Sequence, residues 1–216
     1  MLELGVKTLI AYLLGSLMGA LIVGVFRGVD IRELGSGNPG ATNALRTQGF
    51  VFAAGTSLID VGKGWLAAAA VPELAIPGVA RDASVEREWL AACCAAAAVS
   101  GHVWPLFHEF RGGKGGATLA GALLALAPAL AAIAIVVWIS IAALIGFAAL
   151  ATMTAAIAVP VAAYFLGPAS DAFLVFALAM AALVIFAHRG NIRRLEKRTE
   201  PRLGRFWLLR PRTPPR

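Results

Sequence analysis

Charged side chains are scarce in this chain: they make up 14% of 216 residues, whereas 59% of the residues are hydrophobic and the mean hydropathy is +0.79. Soluble domains carry about 25% charged residues. This shortage excludes an ordinary soluble protein and predicts an integral membrane protein. The apolar stretch within the first 26 residues is long enough to span a bilayer and ends without a clear cleavage site. We therefore interpret it as a retained helix and not as a signal peptide.

Cysteine and histidine are also rare, with two and three residues. No Cys and His spacing resembles a zinc site and no acidic cluster suits Mg²⁺, so neither a metal nor a cofactor is expected. The Gly-x-Ser-x-Gly elbow and the Gly-Lys-Ser/Thr of Walker loops are missing. The His-x4-Asp arrangement of many acyl-CoA acyltransferases is missing too. These absences exclude several common catalytic machineries.

The longest polar, glycine-rich stretch is the first motif, residues 35–43, which is closed by Arg46. Its glycines let the backbone approach a ligand, and successive N–H groups can form a nest that binds anions, phosphate above all. Arg46 adds a planar fork that suits phosphate. A plain connector between two helices is the alternative interpretation of this stretch.

Two further polar stretches repeat this mixture of glycine and cation. The second motif, residues 101–118, holds Lys114 among four glycines, which lets its ammonium reach a phosphate beside bare amides. The third motif, residues 188–204, contains residue types too varied for a run that only holds lipid headgroups. A lipid-binding role suits the basic tail at residues 205–216.

Seven apolar segments account for the rest of the chain. They cover residues 4–26, 50–71, 89–101 and four stretches between residues 117 and 187, with interruptions at Pro128, 146–154 and 167–171. Ten of the 19 Lys and Arg residues lie at or after position 189. By the positive-inside rule all three motifs then face the cytoplasm. The sequence predicts an all-α, seven-helix transmembrane bundle, with the N-terminus outside, the C-terminus cytoplasmic, and residues 1–204 forming one domain.

One apolar segment carries two ionisable residues, Asp60 and Lys63, which are three positions apart and therefore share a helix face. Ionisable residues inside a span are costly, and they usually face the bundle interior or a wet cavity. The pair is either a functional element near the anion site or a buried ion pair that only fixes helix packing. The first interpretation is favoured, because such a pair also sets the field at the site.

The three motifs, in this order and spread over the whole chain, resemble the signatures of the bacterial acyl-phosphate:glycerol-3-phosphate acyltransferase family. The matching residues are 35–43 with Arg46, then 101–105, 107, 110 and 112–118, and finally 188–195 with Glu200, while Asp60, Lys63 and Gly64 also fit. The chain departs from the third signature at Arg198, where Gly is usual, and at Arg202, where Lys is common. These departures concern the geometry near Glu200.

The resemblance implies a multi-pass enzyme of the bacterial inner membrane. It would move a fatty acyl group from acyl phosphate to the sn-1 hydroxyl of glycerol 3-phosphate, giving lysophosphatidic acid and phosphate as the first step of phospholipid synthesis. The implied partners are these two substrates, the lipid bilayer and an upstream enzyme that makes acyl phosphate, but no nucleic acid.

The same resemblance assigns residues to roles. The implied catalytic residues are His188, Asn191, Glu200 and Asp60. The implied substrate-binding residues are Ser36, Gly37, Asn38, Gly40, Ala41, Thr42, Asn43, Arg46, Lys63, His102, Gly113, Lys114, Gly115 and Arg194. The group that accepts the hydroxyl proton stays open between His188, Asp60 and a substrate phosphate.

Two other functions use some of the same features. A transporter or channel for a phosphorylated solute would need polar residues that reach the bilayer midplane from both sides. Here they crowd one predicted face. A non-catalytic lipid-binding scaffold would explain the basic tail but not the glycine loops that carry Arg46 and Lys114.

Overall fold

A computed structural model describes residues 1–166 and 170–204. This part of the chain is helical and confirms the all-α prediction. Its α-helices are α1 (Leu2–Gly15), α2 (Gly19–Arg27), α3 (Ala41–Thr47), α4 (Phe50–Ala69), α5 (Arg87–Val103), α6 (Gly116–Leu126), α7 (Pro128–Ile145), α8 (Ala148–Leu166), α9 (Asp171–Ala187) and α10 (Arg189–Glu196). The predicted basic tail at residues 205–216 lies outside the described residues, as does most of the interruption expected at 167–171.

Among the described residues, three helices are long and apolar enough to cross a membrane: Arg87–His108, Pro128–Ile145 and Ala148–Leu166. The number rises to five if the bent pairs α1–α2 and α9–α10 each form one span. Helix α4, which carries two buried charges, and the 11-residue α6 lie where the sequence predicts the two other segments. Seven crossings and the orientation of the termini therefore stay predictions.

The first predicted span differs from the expectation because it is not one continuous helix. Helix α1 ends at Gly15, α2 begins at Gly19, and their axes differ by 40°. Gly15 packs directly on α5, since a Cβ atom there would overlap the backbone of Ala98. The interruption expected at 146–154 is also shorter than predicted, because α8 already begins at Ala148.

Helices α4 and α6 approach each other so closely that no side chain fits where they cross. A Cβ atom at Gly64 would overlap the carbonyl oxygen of Thr118, and one at Gly121 would overlap that of Val61. Inside a membrane the hydrophobic effect does not drive helices together, and small residues at the interface allow close packing instead. The contact involves the first two turns of α6, so the end of the second motif lies beside the middle of α4.

A buried ion-pair network fastens the start of α1 to the loop after α4 and to α5. Glu3 is 2% exposed and accepts two hydrogen bonds of 2.8 Å from Arg87. Lys7 donates to Glu3 at 2.8 Å and to the carbonyl of Pro72 at 2.6 Å. Each of these buried charges therefore has a partner, as burial in an apolar environment requires.

The crossing of α4 and α6 generates a stability prediction. We expect Gly121→Ala to cost about 2 kcal/mol and so to lower the melting temperature by roughly 4–8 °C, since the added methyl group must displace α6 from α4. The matched control is Gly62→Ala on α4, where a Cβ atom meets nothing within 4 Å. The control should leave the melting temperature unchanged or raise it slightly. Equal melting temperatures for wild type and Gly121→Ala would contradict the tight crossing.

Candidate functional site

A cavity of about 690 Å³ lies between α3, α4, α6, α7, α8 and the third motif. It brings together residues from all three motifs, which are far apart in the sequence. The predicted site residues that line it are Ser36, Asn38, Gly40, Ala41, Thr42, Asn43, Arg46, Asp60, His102, Lys114, Gly115, His188, Asn191, Arg194 and Glu200. The remaining three, Gly37, Lys63 and Gly113, are not part of its lining.

Asn43 on α3 folds the first motif onto itself. Its Oδ1 accepts a hydrogen bond of 3.0 Å from the backbone N–H of Ser36. Its Nδ2 donates to the carbonyls of Ile31 and Leu34, at 3.3 and 2.9 Å. Gly35 adopts a positive φ of 58°, and a Cβ atom there would overlap Oδ1 of Asn43. The side chain of Asn43 therefore shapes the loop that presents the hydroxyl of Ser36.

Arg46 connects the first motif to the third. Its Nη2 donates a hydrogen bond of 3.0 Å to the carbonyl of Pro201, 155 positions later. Burial in the cavity wall lowers the pKa of Arg46, and this effect outweighs the opposing attraction of Glu200. The guanidinium remains charged at neutral pH, because arginine does not lose its proton in proteins.

Glu200 orients two other side chains of the third motif. Its Oε1 accepts a hydrogen bond of 2.7 Å from Nδ2 of Asn191, and its Oε2 accepts one of 2.7 Å from Nε of Arg194. A carboxylate only accepts, which fixes the orientation of the Asn191 amide. The amide oxygen is then buried without a hydrogen-bond partner among the described residues. Asn191 lines the cavity, so this unused acceptor lies beside it.

His188 lies where α9 ends and α10 begins, at a bend of 55°. It is 4% exposed, and its Nδ1 lies 2.8 Å from the carbonyl oxygen of Val184. A carbonyl only accepts, so Nδ1 carries the proton and Nε2 of the neutral ring is an acceptor. The ring can therefore accept a hydrogen bond from a hydroxyl group.

Lys114 follows a loop that turns back onto the end of α5. The backbone N–H of Gly113 donates to the carbonyl of His102 at 3.0 Å, and Gly112 donates to that of Val103 at 3.2 Å. Burial lowers the pKa of Lys114 to about 8, with repulsion from Arg194 and Arg46 adding to the effect and Glu200 opposing it. The site therefore contains three cations, Arg46, Lys114 and Arg194, and one carboxylate, Glu200. Its net charge is positive, which favours the binding of an anion.

Asp60 and His102 form another part of the wall, and Lys63 lies directly behind them. The Lys63 ammonium is 3.0 Å from Oδ1 of Asp60 and 2.9 Å from Nδ1 of His102. Across residues 1–166 and 170–204, no three His, Cys, Asp or Glu side chains are placed to share a metal ion.

Most of the cavity wall is apolar, and the motifs do not identify it. It consists of alanines and larger aliphatic residues on α6, α7 and α8, including Leu123, Ile135 and Ile139. Trp138 on α7 donates from Nε1 to Oγ1 of Thr152 on α8 at 3.0 Å and so ties the two helices together. Residues 117–187 are too uniform in hydropathy to show which face lines a groove. The Trp and the Thr are the features that a sequence reader could have noticed.

Comparison with known proteins gives one consistent result. A family model described as glycerol-3-phosphate acyltransferase matches residues 6–198. The glycerol-3-phosphate acyltransferase of Laribacter hongkongensis is 41% identical over 207 residues, covering 90% of this chain and 94% of that protein. The protein of the same name from Bordetella pertussis is 44% identical over 206 residues, covering 91% and 90%.

The fold is similar to a solved structure of PlsY (YgiH), described as an integral membrane glycerol 3-phosphate acyltransferase, in its glycerol 3-phosphate form. The TM-score is 0.80 at 33% sequence identity, and the match covers 93% of this chain and 96% of that chain. The lysophosphatidic acid form gives the same TM-score and identity, with 95% and 98% covered.

The lowered pKa of Lys114 predicts how anion affinity depends on pH. Lys114 is charged below about pH 8 and neutral above it. Sulfate is a suitable tetrahedral probe, because it keeps its charge throughout this range. We expect sulfate affinity, measured by calorimetry, to fall as the pH rises through about 8. Lys114→Arg should remove this fall, since arginine stays charged. A fall that persists in Lys114→Arg would contradict the assignment.

Proposed function

The chain belongs to the glycerol-3-phosphate acyltransferase family, and on that premise we propose that it transfers a fatty acyl group from acyl phosphate to the sn-1 hydroxyl of glycerol 3-phosphate. The products are lysophosphatidic acid and phosphate. One observation carries the proposal: Arg46, Lys114 and Arg194 share a single cavity with a long apolar wall. Such a cavity suits phosphate groups at one end and an acyl chain at the other.

The polar end holds the phosphates of the two substrates. Ser36, Arg46 and Lys114 bind the phosphate of glycerol 3-phosphate, with the guanidinium fork of Arg46 making two parallel hydrogen bonds. Backbone N–H groups within residues 38–43, with the exception of Pro39, which has none, surround the phosphate of the acyl donor. Arg46, Lys114 and Arg194 carry three positive charges, of which the carboxylate of Glu200 balances one. The remaining positive charge supports the simultaneous binding of two anionic substrates.

The apolar wall formed by α6, α7 and α8 binds the acyl chain. Alanines leave room along the groove, while Leu123, Ile139 and Trp138 give it shape. Each buried methylene group contributes about 0.8 kcal/mol of favourable free energy, so a long chain gains most of its affinity here. This binding places the carbonyl carbon of the donor beside the third motif.

The third motif arranges the attacking hydroxyl. Asn191 Oδ1 and His188 Nε2 are acceptors that bind the hydroxyl groups of glycerol 3-phosphate, while Glu200 holds Asn191 in orientation. Acyl phosphate is already activated, so no covalent enzyme intermediate is needed. Holding the two reactants in place supplies several kcal/mol of the rate enhancement.

In the reaction the sn-1 hydroxyl oxygen bonds to the acyl carbon, and the bond from that carbon to the phosphate oxygen breaks. Backbone amides stabilise the negative charge that develops on the carbonyl oxygen. The hydroxyl proton passes to a phosphate oxygen of the substrates and not to His188. This choice is supported by the contact of His188 Nδ1 with a backbone carbonyl, because no carboxylate is bonded there to stabilise an imidazolium.

We place the enzyme in the bacterial inner membrane with the site facing the cytoplasm, where glycerol 3-phosphate is available. The concentration of Lys and Arg near the motifs supports this orientation. An upstream enzyme that makes acyl phosphate stays a predicted partner. The transporter and scaffold interpretations are set aside, since the chain belongs to a family of enzymes.

The main test is phosphate release by the purified protein. We expect release from acyl phosphate only when glycerol 3-phosphate is added, with lysophosphatidic acid formed in equal amount. Lys114→Ala should lower kcat/KM about 10²-fold, because it removes a buried charge that binds the phosphate of glycerol 3-phosphate. The exposed Arg81, in the loop after α4, provides the control, since Arg81→Ala should leave the rate unchanged. Absence of release by the wild-type protein would refute the proposed function.

A second kinetic prediction concerns the shape of the Arg46 side chain. Arg46→Lys keeps the charge but loses the planar fork, so KM for glycerol 3-phosphate should rise about tenfold. The apparent KM for acyl phosphate should change less, which steady-state kinetics with each substrate varied in turn will show. Arg27→Lys, at the exposed end of α2, is the matched control and should change neither value. An unchanged KM in Arg46→Lys would remove Arg46 from the glycerol 3-phosphate site.

A further inference from the structure

A buried charged cluster, two of whose three members line the cavity, reaches from the cavity wall to the break between α1 and α2. Asp60, Lys63 and His102 are 1%, 3% and 3% exposed. The Lys63 ammonium contacts Oδ1 of Asp60 at 3.0 Å, Nδ1 of His102 at 2.9 Å and the carbonyl oxygen of Leu17 at 2.5 Å. One cation thus joins α4, α5 and the chain between α1 and α2.

The ion pair bonds to backbone groups at the break between α1 and α2. Helix ends leave backbone carbonyl and N–H groups without partners inside the helix. Lys63 donates to the carbonyl of Leu17, just after α1, and Oδ1 of Asp60 accepts from the N–H of Gly19, the first residue of α2, at 3.1 Å. A cation at the C-terminal end and an anion at the N-terminal end match the two helix dipoles. Asp60 and Lys63 therefore stabilise the break.

The break in turn holds the second motif. Ser16 Oγ, inside the break, accepts a hydrogen bond of 3.2 Å from the N–H of Leu106. The hydroxyl of Tyr12 donates to the carbonyl of Trp104 at 2.7 Å. Both contacts fix the chain that leaves α5 and leads to Lys114.

His102 connects the cluster to Lys114 more directly. Its imidazole contacts Lys63 on one side, and on the other it leaves no room for a Cβ atom at Gly113. Its carbonyl also accepts from the N–H of Gly113. The residue before Lys114 is therefore packed against a ring whose orientation is set by the Lys63 ammonium.

We propose that Asp60, Lys63 and His102 are positioning residues, which hold the glycine loop so that Lys114 points at the substrate phosphate. The proposal deepens the proposed function and rests on it, because the substrate in question is glycerol 3-phosphate. It gives Asp60, a catalytic candidate by family resemblance, a different role. Oδ1 of Asp60 contacts the Lys63 ammonium and accepts a hydrogen bond from the N–H of Gly19. The three residues affect substrate binding by fixing the position of Lys114.

A double-mutant cycle tests whether His102 acts through Lys114. Lys63 is a donor, so Nδ1 of His102 must accept, and an Asn oxygen can replace it while Leu cannot. His102→Leu should raise KM for glycerol 3-phosphate about tenfold in the wild-type background and much less in Lys114→Ala, since interacting residues are not additive. His102→Asn should keep KM for glycerol 3-phosphate close to the wild-type value. An equal fold increase in KM from His102→Leu in both backgrounds would overturn the proposal.

The chain offers a matched control for Lys63 in α1, near the N-terminus. Lys7 is also buried, at 5% exposed, and it also contacts a carboxylate and a backbone carbonyl. Lys63→Met and Lys7→Met should both lower the melting temperature, but only Lys63→Met should raise KM for glycerol 3-phosphate. A similar KM effect from both variants, or none from Lys63→Met, would show that the cluster is only structural.

Hydrogen exchange provides a test that needs no substrate. The amides of residues 111–116 should exchange faster in His102→Leu than in the wild-type protein, and at the wild-type rate in Lys7→Met. Faster exchange in a protein that shows no acyltransferase activity would support the network while refuting the proposed function. Unchanged exchange in His102→Leu would overturn the network even if the enzyme is active.

Discussion

Charge buried among apolar helices has to be compensated, and this constraint organises the molecule. Lys7 is paired with Glu3, Lys63 with Asp60, and Arg194 with Glu200. Lys114 forms no ion pair within the part of the chain that the structure describes. Arg46 donates a hydrogen bond to a backbone carbonyl and likewise forms no ion pair among the described residues, so neither cation is paired with a carboxylate there. An anionic substrate supplies the missing compensation, so the same physics stabilises the fold and defines the site.

The two breaks in the helical backbone follow from this arrangement. Irregular backbone at membrane depth is tolerated only inside protein or beside a cavity, because lipid offers no hydrogen bonds. The break after α1 is capped by Asp60 and Lys63, and the bend at His188 uses its Nδ1 to contact the carbonyl of Val184. His188 lines the cavity itself, and the first break is bonded to Asp60, which also lines it. Asp60 and His188, which bond to these breaks, therefore belong to the same cavity as the polar residues of the motifs.

Much of the candidate site could be predicted from the sequence, because each motif is a local pattern of glycines and polar side chains. The predicted site residues of these motifs fall almost entirely on one cavity wall. The role of Asn43 was harder to predict, since its three hydrogen bonds hold the loop from within. The break in the first span was missed, because its cause, the buried charges of α4, lies more than forty residues further along the chain.

The sequence alone determined that the chain belongs in a membrane, that its polar stretches suit phosphate, and which family it resembles. These properties depend on composition and on short motifs, which need no knowledge of packing. Only the tertiary structure decided which alanines of α6, α7 and α8 form the groove, that Arg46 reaches Pro201, and that Lys63 joins Asp60 to His102. Those contacts depend on how closely helices cross, and the glycine contacts between α4 and α6 set that distance through residues far apart in the chain.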